Sequence, residues 1–384
     1  VAEGKRAGGG LGKALLAGTA LIAGAVMVRG AIQRQARAKA YLGEGIDEKG
    51  FMTLGGIPQW VTVRGRDLDN PLLLVLHGGP GFAMSQSRLR AFPGWDERFT
   101  VVNWDQRGAG RTFGRNRKAG SGELTLGRFV VDGVELAQEL KRRFPGRPLI
   151  LLGWSWGSVI GVEMIRARPD LFAAYVGTGQ VVDMERGEQL SYFGAIDRLR
   201  AKGDERGAQA LEAIGPPPYP NTKALIKQRQ LLISTMPKAE RRLMRDLVAD
   251  LVFAPDARLT DLPDYFAGLR FSLESLWKPL QGWRLADGGV EFDVPMVFIE
   301  GDLDLQVPST LVTALVPTLK ASSVELVTIE GGAHTALTTH PDAFRKALLE
   351  RVRPLVVGKG EDRRRVPKAR RTSGSSRPSG RPRG

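Results

Sequence analysis

The chain has 384 residues, no cysteine, 42% hydrophobic and 25% charged residues, and a formal net charge of +15 at pH 7. These proportions exclude a wholly disordered or polytopic membrane chain, and the lack of thiols excludes disulfides, thiolate catalysis and cysteine-ligated metals. The charge is +6 over residues 1–40, +8 over residues 358–384 and +1 over residues 41–357, so no nucleic-acid partner is expected for the folded body.

Residues 1–40 hold an uncharged run from Ala14 to Val28, somewhat shorter than the ~20 residues a spanning helix prefers. The small residues Ala36, Ala38 and Ala40 that could mark a cleavage site stand in a basic stretch, which is poor context for a signal peptidase. A membrane anchor or signal-like segment is therefore expected, with membrane association through the N-terminus; a secreted or cytoplasmic protein is the alternative. From residue 41 short apolar runs alternate with amphipathic ones, the pattern of a mostly parallel sheet flanked by helices. The spacing predicts strands at Leu72–Leu76, Val101–Trp104, Leu149–Leu152, Ala173–Val176, Met296–Ile299 and Val324–Ile329, and helices at Leu126–Phe144, Pro308–Leu319 and Asp342–Val352. Residues 183–293 break the alternation, with helical pieces such as Leu190–Lys202 and Lys238–Val252 and no strand. They read as a helical cap inserted between core segments 41–182 and 294–357, over the strand ends where ligands bind in open α/β sheets. Residues 358–384 have almost nothing apolar to bury and read as a disordered basic tail.

The segment Gly153-Trp154-Ser155-Trp156-Gly157 follows a predicted strand and precedes a predicted helix. A G-x-S-x-G turn in that context lifts the serine hydroxyl above the sheet, so Ser155 is the candidate nucleophile. Its proton needs an imidazole. Of the three histidines, His77 precedes two glycines and His340 precedes Pro341, whereas His334 follows the last strand in Gly331-Gly332-Ala333-His334 and is the candidate base. The acid is expected in the loop after Met296–Ile299, which offers Asp302 and Asp304. Asp304 is preferred because the turn must advance before a carboxylate can reach the imidazole. The oxyanion formed in acyl transfer needs preorganised donors, and the amides of Gly79, in His77-Gly78-Gly79-Pro80-Gly81, and of Trp156 are the candidates.

Together HGGPG at 77–81, DQRGAG at 105–110, the elbow at 153–157, GDLDLQVP at 301–308 and GGAH at 331–334 resemble the proline iminopeptidase-like group of α/β hydrolases over about residues 45–352. The resemblance implies the α/β-hydrolase fold, a Ser155–Asp304–His334 triad, a helical cap, no cofactor and no metal. It also implies release of an N-terminal residue, preferably proline, from small peptides. Two positions depart from the aminopeptidase members: Trp154 stands where they have glycine, and Thr112 where they have serine. Their caps carry tryptophan–glutamate elements that hold the substrate ammonium; here Glu185, Glu188 and Glu274 are the candidate substrate-binding carboxylates. A carboxylic-ester hydrolase on the same triad is the alternative within enzymes. A membrane-tethered binding protein on a hydrolase scaffold is the alternative outside them.

Overall fold

The computed structural model describes residues 8–357, with side chains from Gly24 onward. The expected tail 358–384 and most side chains of the expected anchor lie outside the described residues. Among the described residues no helix is long and apolar enough to cross a membrane.

Eight strands form one sheet: β1 (Ile46–Leu54), β2 (Ile57–Gly65), β3 (Leu72–Leu76), β4 (Thr100–Asp105), β5 (Leu149–Trp154), β6 (Ala174–Thr178), β7 (Met296–Gly301) and β8 (Val324–Ile329). Their order is β1-β2-β4-β3-β5-β6-β7-β8. β1 and β2 run antiparallel and every pair from β4 to β8 is parallel. The fold is thus an α/β-hydrolase fold, with a mostly parallel sheet flanked by helices. The β1–β2 hairpin was absent from the strand expectations because charged Asp47, Glu48 and Lys49 interrupt β1 as an apolar run. Its signal is Gly55-Gly56, at φ +55° and +77°, a two-residue turn suited to the twist of a hairpin.

Besides one turn of helix at Arg88–Ala91, the helices are α1 (Gly8–Ala40), α2 (Gly110–Gly120), α3 (Leu126–Arg143), α4 (Trp156–Ala167), α5 (Met184–Ala201), α6 (Glu205–Glu212), α7 (Thr222–Thr235), α8 (Lys238–Arg241), α9 (Leu243–Phe253) and α10 (Asp261–Leu280), with shorter ones after β7. Because successive strand residues face opposite sides, Leu72, Leu74 and Leu76 pack with Leu136 and Leu140 of α3 and Val159 and Ile160 of α4. Leu73 and Val75 pack with Phe92, Trp95 and Phe344 on the other face. Each such side chain contributes ~1.5–3 kcal/mol when fully buried. Helices α5–α10 lie between β6 and β7, and part of them shares a separate apolar cluster of Tyr192, Ile196, Leu199, Leu232 and Trp277 that reaches Ala333. Of α1, Arg29, Gln33 and Arg37 recur every four residues and so share one face. They donate to the carbonyls of Val252, Ala254, Pro255 and Ala257 at 2.7–3.1 Å, in the last turn of α9 and the segment that follows it.

Candidate active site

Ser155 sits at the junction of β5 and α4 with φ +55° and ψ −120°, a conformation that L-residues adopt only when their surroundings enforce it. The neighbouring glycines are required by close approach. A Cβ on Gly157 would lie 2.1 Å from the Leu76 carbonyl oxygen, and one on Gly153 2.7 Å from that of Gly157. The turn is fixed by the Ser155 amide donating to Thr178 O at 3.0 Å, and by the Ser158 hydroxyl donating to Ser155 O at 2.6 Å while accepting from the Val181 amide at 3.0 Å.

The loops after β7 and β8 bring the other two residues to this hydroxyl. His334 Nε2 lies 3.1 Å from Ser155 Oγ, and His334 Nδ1 lies 2.8 Å from Asp304 Oδ2. Asp304 Oδ1 accepts the amides of Gln306 and Val307, each at 2.9 Å, so the carboxylate is held at both oxygens. All three residues are buried. Asp302 is exposed, and His340 pairs with its neighbour Thr339 at 3.1 Å. Trp154 braces His334: its indole donates to His334 O at 3.0 Å, and its ring lies 5.8 Å from the imidazole.

The loop bearing Gly79 passes over the serine, since a Cβ on Gly78 would lie 3.2 Å from Ser155 Cβ. Gly79 has φ +118°, and a Cβ there would lie 2.5 Å from the Gly81 nitrogen, so only glycine fits. Gln106 ties this loop to Trp156. It donates to His77 O at 3.3 Å, accepts the Trp156 indole at 3.0 Å, and its amide donates to His77 Nε2 at 3.2 Å. His77 Nδ1 lies 2.8 Å from Gly78 O, so its neutral form fits both contacts, and burial lowers its pKa to about 4. Burial raises Asp105 to about 6 against the opposing bond from the Arg111 amide. Thr112, one of the departures, donates to Asp105 O at 2.5 Å and accepts the Trp60 amide at 2.8 Å, which a serine hydroxyl could do equally.

The three candidate carboxylates have different surroundings. The side chains of Glu185 and Glu274 are 61% and 40% exposed and pair with Arg284 and Arg270. Glu188 is 10% exposed, one oxygen paired with Arg229. The other oxygen has no partner, and neither do the Tyr219 hydroxyl and the Trp277 indole nitrogen; both rings belong to the cap cluster that reaches Ala333. Two carboxylates beside His334 were not among the expectations. Glu300 lies one residue before the end of β7 and accepts the amides of Gly179 and Gln180 at 2.9 and 3.1 Å; burial, and then the charge of Asp304, push it well above the ordinary carboxylate range. Glu240 on α8 accepts the Thr335 amide at 2.9 Å and hydroxyl at 2.7 Å. A lone acid in the apolar run Val297-Phe298-Ile299-Glu300 could have flagged Glu300. Nothing local could have flagged Glu240, whose partner is 95 residues away. Among the described residues no cluster of His, Asp and Glu suits a metal ion.

The sequence profile of the alpha/beta hydrolase family matches residues 73–347. The chain is 29% identical over 308 residues to the probable aminopeptidase of Bacillus subtilis (strain 168), a match covering 79% of this chain and 95% of the relative. It is 25% identical over 288 residues to the probable proline iminopeptidase of Streptomyces coelicolor, covering 71% and 85%. The proline iminopeptidase-related protein of Thermus thermophilus is similar in structure, with a TM-score of 0.57 at 19% identity over 81% of this chain and 99% of that one. At that identity the likeness concerns the fold.

Proposed function

The chain belongs to the alpha/beta hydrolase family, and from that premise we propose that it is a serine hydrolase that releases an N-terminal residue, proline above all, from small peptides. The observation that carries the serine mechanism is the hydrogen-bonded series Ser155–His334–Asp304. Ser155 Oγ attacks the scissile carbonyl while His334 Nε2 takes its proton; Asp304 holds the Nδ1 proton and so fixes the tautomer. The tetrahedral oxyanion is met by the amides of Gly79 and Trp156. His334 then returns the proton to the leaving amine, and water, deprotonated by the same imidazole, hydrolyses the acyl-enzyme.

The peptidase reading is supported by the two sequence relatives and by Glu188, the one candidate cap carboxylate that is buried with an oxygen unpartnered. That oxygen is assigned to the substrate ammonium. Arg229 favours a second reading, because it already balances the Glu188 charge, and an ester brings no ammonium to be recognised. A panel of proline-, alanine- and leucine-naphthylamides, each free and N-acetylated, beside short acyl esters, separates the two. An aminopeptidase prefers the free amines by about tenfold to a hundredfold, the rate equivalent of the ~1.5–3 kcal/mol of a hydrogen bond to a charged group. Equal rates on free and acetylated amides, with fast ester turnover, would establish the esterase.

A further inference from the structure

We propose that the open cavity bounded by α1, β4, α9 and residues 86–96 is a second ligand site, separate from Ser155, that takes a monoacyl anion: a carboxylate or phosphate head on one apolar chain. The cavity measures ≈ 510 Å³, within the ~300–1,000 Å³ range of small-molecule sites. None of Ser155, His334 and Asp304 lines it.

The head group is argued from the buried polar lining. Asn103, Gln86 and Arg88 all line the cavity and are 2%, 5% and 6% exposed. Asn103 Nδ2 and Oδ1, Gln86 Nε2 and Arg88 Nε have no hydrogen-bond partner in the structure. Buried polar groups are nearly always paired, because leaving one unpaired costs its full desolvation; several around one cavity point to a ligand. Three of these four atoms are donors, so the complementary group is rich in acceptors. Arg64 and Arg88 are balanced by Asp47, Asp96 and Asp256. Lys39 has no ion-pair partner among the described residues, and Arg66 reaches Asp96 only at 3.6 Å. Both line the cavity, so the surplus charge there is positive.

The chain is argued from the apolar part of the lining, Leu89, Phe92, Val101 and Phe253, and from α1. Val28 and Ile32 are 60% and 40% exposed, and with Ala36, which lines the cavity, they recur every four residues. They therefore form one stripe along the helix, leading to the cavity and offering apolar surface for a single acyl chain.

The test titrates the full-length chain by calorimetry with laurate, lysophosphatidylglycerol and dodecyltrimethylammonium. One of the two anions is expected to bind at least about tenfold tighter than the cation; tighter laurate identifies a free fatty acid as the source of the ligand, tighter lysophosphatidylglycerol a lysophospholipid. Asn103→Leu removes a donor to an ionised head and is expected to weaken binding about tenfold or more, and Lys39→Glu severalfold. If Asn103→Leu fails to fold, Ala36→Trp, which fills the cavity from the surface helix, is expected to abolish binding at an unchanged melting temperature. Anion binding that survives Ala36→Trp at parental affinity, equal affinity for the cation, or no binding of either anion would each overturn the proposal.

Discussion

Replacing Gly179 by alanine should disable the base without removing any catalytic group. A Cβ at this position would lie 2.9 Å from His334 Cε1 and 3.1 Å from Nδ1, whereas carbon atoms settle at ~3.5–4.0 Å, so the imidazole must retreat by about 0.6–1 Å. Its retreat breaks something in each direction: Nδ1 is 2.8 Å from Asp304 and the backbone carbonyl is held by Trp154 at 3.0 Å. The Ser155–His334 contact is already 3.1 Å, and a misplacement of ~1 Å can cost ~10²-fold in rate. The φ of +51° at Gly179 adds ~1–2 kcal/mol of backbone strain for an L-residue. Gly203→Ala controls for that strain, because Gly203 has φ +74° with nothing within 4 Å of its Cβ position. In a thermal melt Gly203→Ala should lose the strain alone, and Gly179→Ala at least as much. Only Gly179→Ala should slow covalent labelling by a fluorophosphonate and turnover of an ester, by about a hundredfold. A folded Gly179→Ala protein labelled within about threefold of the parent rate would refute the reasoning.

Asp304→Asn should lower turnover by ~10³–10⁴-fold, since the triad acid fixes the imidazole tautomer, and Asp302→Asn should be mild; the opposite ranking in steady-state assays would move the acid to Asp302. Glu188→Gln should collapse the preference for free over N-acetylated amides, with Glu185→Gln and Glu274→Gln leaving it intact; a preference unmoved by Glu188→Gln removes that residue from recognition. From about pH 4 to 6, Asp105, raised from 3.8 to about 6, keeps a proton that the unfolded chain has lost, so its contribution to stability falls as pH rises. His77, lowered from 6.5 to about 4, is neutral where the unfolded imidazole is charged, so its contribution rises, and the two slopes of ~1.4 kcal/mol per pH unit oppose each other. Asp105→Asn deletes only the falling one, so its melting temperature should climb more steeply than the parent's between pH 4 and 6; parallel curves would show that Asp105 is not the group responsible.

What the sequence displayed and what it hid follow from the range of the interactions. Leu72–Leu76 has the same bounds as the observed strand, because a buried parallel strand is a continuous apolar run between turns; Val324–Ile329 matches too, as a half-buried edge strand whose Val324, Leu326 and Ile329 still mark it. The edge strand β1 does not obey that rule, since its exposed face admits charge. Ser155, Asp304 and His334 could be singled out because each stands in a loop immediately after a strand, and parallel strands deliver such loops to one edge of the sheet. Glu188 could not be separated from Glu185 and Glu274 by sequence, since its burial depends on Arg229, from a different helix. Trp154 reads as a departure from the glycine of aminopeptidase relatives, yet its contact with His334 across 180 residues gives it a bracing task that only the fold makes visible.

The same long-range contacts tie the candidate base to the cap. Glu240, on α8, uses both carboxylate oxygens on Thr335, and the cap cluster packs on Ala333, so residues on both sides of His334 are held by cap contacts. Ser155 is held instead by the sheet, through Thr178 O. The 3.1 Å gap between Ser155 Oγ and His334 Nε2 is thus bordered by an imidazole held from two sides, by Asp304 and Trp154 of the core and by the cap contacts on its neighbours. On the proposed function, a substrate that engages the cap is expected to draw on its binding energy to tighten that gap, and one too short to reach the cap is not. Binding energy from remote groups is then realised at the chemical step. Shortening the substrate on its cap-facing side should accordingly lower kcat and not KM alone, and Glu240→Gln, which weakens the tie while leaving every reacting group in place, should make long and short substrates more alike in kcat. A difference between them confined to KM in the parent enzyme would place the cap outside the chemistry.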